Sequence, residues 1–208
     1  MWQTIHQRLS IRYALISTCL CCLLCVIFPP HCVKNDDMYP NISKHAIVFS
    51  IHPSLINTTL YLEQGDIILY KHPIFTNHLL LTRVLATPGQ SIQYQNDSFS
   101  NNNRVLTQVD MHVDDDKHRI YQEKLFIQKE DQKTAEKHWF IRQRNQASLW
   151  QSTLYTVPDT HIFVACDNRF YCVDSRWFGS ISQDTVQYKI LLSIDSSRSF
   201  LDWIQTHI

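Results

Sequence analysis

Apolar positions along this chain fall into two kinds of run. One is a single uncharged stretch from Tyr13 to Phe28, with Arg8 and Arg12 ahead of it and Pro29 and Pro30 closing it. The other kind, after residue 45, is short and rich in β-branched and aromatic side chains: AIVFSI (46–51), DIILY (66–70), HLLLTRVL (78–85), SIQYQ (91–95), KLFIQK (124–129), HWFIRQ (138–143), HIFVAC (161–166) and VQYKILLSI (186–194). Runs of that length and composition predict strands. The continuously apolar ones, 46–51 and 78–81, predict strands covered on both faces, whereas KLFIQK alternates and predicts a half-exposed one. Helical periodicity is scarce beyond residue 45, with QKEDQKTAEKHW (128–139) suited to a turn or two. The expected fold is mostly β.

The Tyr13–Phe28 run suits lipid, although it is shorter than the roughly 20 residues that span a bilayer comfortably. A cleaved leader competes with an uncleaved anchor, and the anchor is favoured because no small-x-small cleavage pattern precedes the proline pair. Thr18 before Cys19 disfavours a lipoprotein signal. Arginines held on the cytoplasmic side place everything beyond Pro30 outside. The expected division is a cytoplasmic 1–12, an anchor at 13–28, a polar linker at 29–44 and an extracytoplasmic domain at 45–208.

Nineteen basic residues balance nineteen acidic ones, so charge gives no reason to expect a nucleic-acid partner. Two polar loops are expected, NDSFSNNNR (96–104) and VDMHVDDDKHR (109–119). Asp114, Asp115 and Asp116 lack the glycine and downstream glutamate of a calcium loop and predict a solvated hairpin tip. CxxC spacing occurs only inside the apolar run, at Cys19–Cys22 and Cys22–Cys25, and no HxxxH spacing occurs, so zinc is poorly supported and no metal or other cofactor is expected. Asn41-Ile-Ser and Asn57-Thr-Thr match the glycosylation pattern, which matters only on a eukaryotic secretory path. Cys19, Cys21, Cys22 and Cys25 lie within the apolar run as packing residues, and Cys32 follows it. Cys166 and Cys172 are candidates for a disulfide if the domain is extracytoplasmic.

Those two cysteines bracket the densest polar chemistry in the chain, ACDNRFYCVDSRWFG (165–179). Together with Gly65-Asp-Ile-Ile-Leu-Tyr70 and Thr82-Arg-Val-Leu-Ala-Thr-Pro-Gly-Gln90, it resembles the signal peptidase I family, membrane-anchored serine endopeptidases that remove signal peptides. The matching segments are that family's Gly-Asp strand, its Lys-Arg-Val-Ile-Gly-x-Pro-Gly-Asp, and its Gly-Asp-Asn-Arg-x-x-Ser-x-Asp-Ser-Arg-x-x-Gly. The resemblance covers roughly residues 45–195 and takes in all three glycines, Gly65, Gly89 and Gly179. It implies a signal-peptidase-I-like β-sheet domain behind one N-terminal transmembrane helix, in a bacterial inner membrane. The matching scaffold positions are Gly65, Asp66, Arg83, Pro88, Gly89, Asp167, Asn168, Arg169, Asp174, Ser175, Arg176 and Gly179.

The reactive positions depart from that pattern. The family's general base is a lysine made neutral by apolar surroundings; its place here is Thr82, whose hydroxyl has no comparable basicity. The serine position, counted back from Gly65 with the family spacing, is Asn57. An alignment with a short insertion places Ser54 there instead. On an extended chain His52 stands about 6.6 Å from Ser54, awkward for a direct hydrogen bond, and His78 about 13 Å from Thr82. Cys172 occupies the place of the family's base-orienting serine and has only Arg169 and Arg176 near it in sequence, neither of them a base. These substitutions imply a protein of export or envelope assembly with impaired catalysis, binding an extended signal peptide or a secreted or pilus protein segment between strands 46–51 and 78–81. The alternative is an active endopeptidase working through Ser54.

Overall fold

The computed structural model describes residues 2–55, 62–72, 79–102, 104–115, 117–128, 134–144, 154–170 and 172–195. Helix α1 (Trp2–Ile27) leads the chain. Among the described residues no helix is long and apolar enough to cross a membrane. Strands follow in the order β1 (Pro30–Cys32), β2 (Ile47–Ile51), β3 (Ile67–Lys71), β4 (Leu79–Ala86), β5 (Ser91–Gln95), β6 (Ser98–Asn101), β7 (Arg104–Val105), β8 (Thr107–Asp115), β9 (His118–Gln128), β10 (Thr134–Arg144), β11 (Tyr155–Thr156) and β12 (His161–Ala165). The short helix α2 (Ser175–Phe178), then β13 (Ile181–Ser182) and β14 (Val186–Ile194), complete the fold. The architecture is mostly β.

These strands form a seven-stranded sheet, β1-β2-β14-β3-β4-β12-β13, a three-stranded sheet, β10-β9-β8, and a four-stranded sheet, β11-β5-β6-β7. Apolar side chains join them. Leu85 from β4, Phe163 from β12, Ile92 from β5, Phe99 from β6 and Trp139 and Ile141 from β10 share one buried cluster. Each such side chain contributes about 1.5–3 kcal/mol by leaving water, and Leu125 of β9 lies in the same cluster, so the long β9–β10 hairpin is fastened to the main sheet through both of its strands.

Several local expectations give way to tertiary structure. Strand β2 is not covered on both faces; Ile47 is exposed while Val48 and Ser50 are buried, the alternation of a strand with one covered face. The stretch buried on both sides lies further along β4, from Leu81 to Ala86, where Leu81, Val84 and Leu85 each enter a different apolar cluster. Residues 109–115 are strand β8 rather than a loop, and residues 134–139 are strand β10 rather than helix, since each finds a full ladder along β9. The segment expected as a linker, 29–44, is part of the fold: Val33, Met38 and Ile42 are buried in one cluster with Val48, Leu69 and Leu81. Asp114 is not a solvated tip, because it accepts from Tyr39 Oη at 3.1 Å and from Arg142 Nε at 2.6 Å.

Gly65 sets the entry to β3. Its φ is +89°, and a Cβ there would lie 3.0 Å from Lys137 Cδ and 3.4 Å from a Trp139 ring carbon. The positive φ and the packed neighbours work against any side chain. Gly65→Ala is expected to cost about 1–2 kcal/mol, read as a lower urea midpoint with an unchanged slope.

Candidate functional site

Among the scaffold residues named from the sequence, Gly65, Arg83 and Asp167 meet at one buried junction between β4, β10 and the segment after β12. Arg83 Nε and Nη2 donate to Asp167 Oδ1 and Oδ2 at 2.8 and 2.7 Å. The third nitrogen, Nη1, donates to the Gly65 carbonyl at 2.7 Å. Both side chains are nearly sealed from solvent, 7% and 0% exposed. The guanidinium also stacks over Trp139 at 4.9 Å. Asn41 Nδ2 adds a further donor to Asp167 Oδ2 at 2.6 Å.

Asn168 and Arg169 extend the junction. Asn168 donates its side-chain amide to the Asp36 carbonyl and its backbone N–H to the Asp37 carbonyl. Arg169 Nη2 donates to Glu123 Oε2 at 2.7 Å, and the guanidinium lies over Phe99 at 4.7 Å. Glu123, wholly buried, also accepts from Trp139 Nε1 at 2.9 Å and from Gln108 Nε2 at 3.2 Å. A buried carboxylate is tolerated only with such partners.

The second half of the motif builds a cap. Asp174 precedes α2 and accepts from the Arg176 backbone N–H, as an N-cap should. It also accepts from Cys166 N at 3.1 Å and Arg176 Nε at 2.8 Å, while Arg176 Nη2 reaches the Arg169 carbonyl at 2.7 Å. Ser175 Oγ accepts from Val164 N at 3.0 Å, and Gly179, at φ +82°, closes the turn onto the Ser175 carbonyl. Asp66 accepts from Glu63 N and pairs with Lys189 Nζ, each at 2.7 Å. Pro88 and Gly89 form an exposed turn, with Gly89 N donating to the Val157 carbonyl. Every one of these roles is bracing.

The positions that would react are dispersed. Thr82 is 1% exposed, in register with Ile68 on β3, between Leu80 and Val84 of the same apolar cluster. Among the described residues its hydroxyl finds no hydrogen-bond partner. The neighbouring row of the sheet runs Ile51, Lys189, Ile68, Thr82 through three ladder steps, so the end of β2 is about 14 Å from Thr82 at about 4.8 Å per step. The slot expected between 46–51 and 78–81 is therefore occupied within the sheet by β14 and β3. Asn57 and His78 lie outside the described residues.

His52 departs from the expectation for an extended chain. The backbone turns through a short 3₁₀ segment, Pro53–Leu55, which brings His52 Nδ1 to 2.8 Å from Ser54 Oγ. The Ser54 backbone N–H points at the same nitrogen at 3.2 Å. Tyr188 supports the His52 ring edge-on at 5.5 Å and the His31 ring at 4.7 Å, and His31 Nε2 meets Ser50 Oγ at 2.9 Å. Burial lowers the His31 pKa. Of these groups the sequence signalled only Ser54 and His52. Tyr188 and Glu123 sit in alternating strands where nothing distinguishes a buried polar residue from a surface one.

Cys166 and Cys172 are joined in a disulfide with Cα atoms 6.1 Å apart. Among the described residues, the one acidic and sulfur group compact enough to share an ion is Asp37 with these two cysteines, and their sulfurs are bonded to each other.

A family model described as signal peptidase, peptidase S26, matches residues 7–193. Among solved structures the chain is similar to a signal peptidase I from Enterococcus faecalis V583, with 20% identity, 62% of this chain and 96% of that one covered, and a TM-score of 0.38. No curated protein matches.

A buried hydroxyl without a partner costs about 1–3 kcal/mol. Thr82→Val keeps the volume and removes that group, so it is expected to raise stability by about 1 kcal/mol in urea denaturation. Loss of stability would reveal a hydrogen bond to Thr82.

Proposed function

The chain belongs to the signal peptidase S26 family, and from that premise we propose that it binds extended peptide segments without Ser–Lys hydrolysis. The observation that carries this is Thr82, a hydroxyl without a partner among the described residues, buried where the family's base is expected. No proton acceptor of useful basicity stands at that position.

Binding rests on the edge of β4 rather than on a slot between β2 and β4. Among the described residues, β12 pairs with β4 only at Arg83, Val84 and Ala86; Leu81 and Thr82 are buried nonetheless, so the accessible part of this edge is Leu79 and Leu80. An extended peptide adds to such an edge through backbone hydrogen bonds, a mode that does not require the dyad. The tether is α1: from Tyr13 to its end at Ile27 it is uncharged, and Tyr13, Ile16 and Val26 are largely exposed. On this reading the bulk of the chain lies outside a bacterial inner membrane, holding a signal peptide or a segment of a secreted or pilus protein during export or envelope assembly.

One observation favours a second reading. The His52 Nδ1 to Ser54 Oγ contact of 2.8 Å is the geometry of a hydroxyl with an adjacent base, which fits an active endopeptidase working through Ser54.

The full-length protein in detergent, incubated with a signal-peptide-bearing precursor, is expected to leave the precursor intact. Cleavage that disappears in Ser54→Ala would establish the second reading. A fluorescent extended apolar peptide is expected to bind, and N-methylation of alternate peptide nitrogens to weaken it at least about tenfold, as backbone-directed pairing requires. Equal binding of the methylated peptide would remove β-addition.

A further inference from the structure

The mechanism of bracing leaves one chemically pointed group unused. A carboxylate oxygen of Asp37 and the sulfurs of Cys166 and Cys172 all lie within 4.8 Å of one another. Asp37 is fixed there by its carbonyl, which accepts from Asn168 N at 2.9 Å, and by its carboxylate, which accepts from Asn35 Nδ2 at 2.5 Å. The two sulfurs are not equivalent. Cys166 is 2% exposed, whereas Cys172 is partly open to solvent.

We propose that the Cys166–Cys172 bond is a thiol–disulfide exchange site for external dithiols, attacked at Cys172, with the Asp37 carboxyl delivering the proton that the departing Cys166 sulfur needs. Exchange runs in line through the accessible sulfur, and a thiolate leaving into a buried setting is a poor leaving group unless it is protonated. A thiolate of the dithiol forms a bond to Cys172 Sγ as the Cys166–Cys172 bond breaks. The electron pair of that bond goes to Cys166, which takes a proton from Asp37. The second thiolate of the dithiol then attacks its own sulfur in the mixed disulfide, releasing Cys172, which is protonated from solvent. The protein disulfide is reduced by two electrons and the dithiol is oxidised to its disulfide. Asp37 regains its proton through an open cavity of about 680 Å³ on which it borders.

Burial raises the Asp37 pKa, the Asn35 hydrogen bond opposes this, and the neighbouring carboxylates Asp36 and Asp174 raise it further. Lys34, Lys44, Asp114 and Arg142 are the other charged groups lining the cavity, and Tyr70 is electrostatically coupled to both Asp37 and Asp174. With the folded pKa above the ordinary carboxylate value, the acid form persists to higher pH and is lost as pH rises through that value. The anion that replaces it also repels an incoming thiolate. Both effects slow exchange in the same direction.

The test uses the full-length, air-oxidised protein in detergent, with dithiothreitol as the dithiol and the 166–172 peptide followed by mass spectrometry. The rate constant per dithiothreitol thiolate is expected to fall about tenfold as pH rises through the raised Asp37 titration in wild type and to be flat in Asp37→Asn. A flat wild-type profile, or a fall that survives Asp37→Asn, overturns the role of Asp37. In wild type alone, with 2-mercaptoethanol as a monothiol, the trapped adduct is expected on Cys172. An adduct on Cys166, or free thiols at both positions before any reductant is added, overturns the site itself.

Discussion

The ion pair between Arg83 and Asp167 is the constraint around which the rest of the molecule is arranged. Both groups are out of water, so each is tolerable only while the other is in place. Satisfying Arg83 takes three acceptors, two from Asp167 and one from the Gly65 carbonyl, and satisfying Asp167 draws in Asn41 from the N-terminal segment. One pair thereby fixes β4, the turn before β3, the 166–172 loop and residues 29–44 relative to one another. The long hairpin joins through Trp139, which stacks on Arg83 and donates to Glu123, the partner of Arg169.

That dependence gives the Asp-Asn-Arg and Asp-Ser-Arg residues a role in holding the fold. The retained side chains answer to desolvation. Losing Asp167 would strand a buried guanidinium, at a cost of about 3–5 kcal/mol, a large part of a domain's whole stability. Thr82, one residue from Arg83 but on the opposite face of β4, answers to no such network, and its neighbours are apolar. A substitution at Thr82 is therefore expected to disturb the fold much less than one at Arg83 or Asp167.

How much of this was legible in the sequence follows from the range of each interaction. Ser91–Gln95 and Val186–Ile194 are strands where alternation and β-branching placed them, because those signals are local. Gly65 and Gly179 marked turns at positive φ for the same reason. Residues 109–115 and 134–139 misled because their composition is polar and charged, and only pairing with β9 makes them strands. Residues 29–44 misled because Val33, Met38 and Ile42 are spaced irregularly among polar residues, so no period announced that they are buried. Asn41 and Asp37 became visible only when the fold carried them across to residues 167 and 172.

The contact between His52 and Ser54 shows why proximity alone does not decide chemistry. The imidazole nitrogen that faces the hydroxyl also faces the Ser54 backbone N–H, so its lone pair is shared between a cap-like local bond and the serine. A general base needs that lone pair for the hydroxyl proton, and it needs the other ring nitrogen oriented by a third group. Tyr188 supplies ring packing to His52 instead. Ser54 is exposed, in a setting where water screens any charge that develops. An exposed pair with a divided acceptor is a weak starting point for attack on an amide, whereas strand addition at the accessible Leu79–Leu80 edge, as proposed, would need no reactive group.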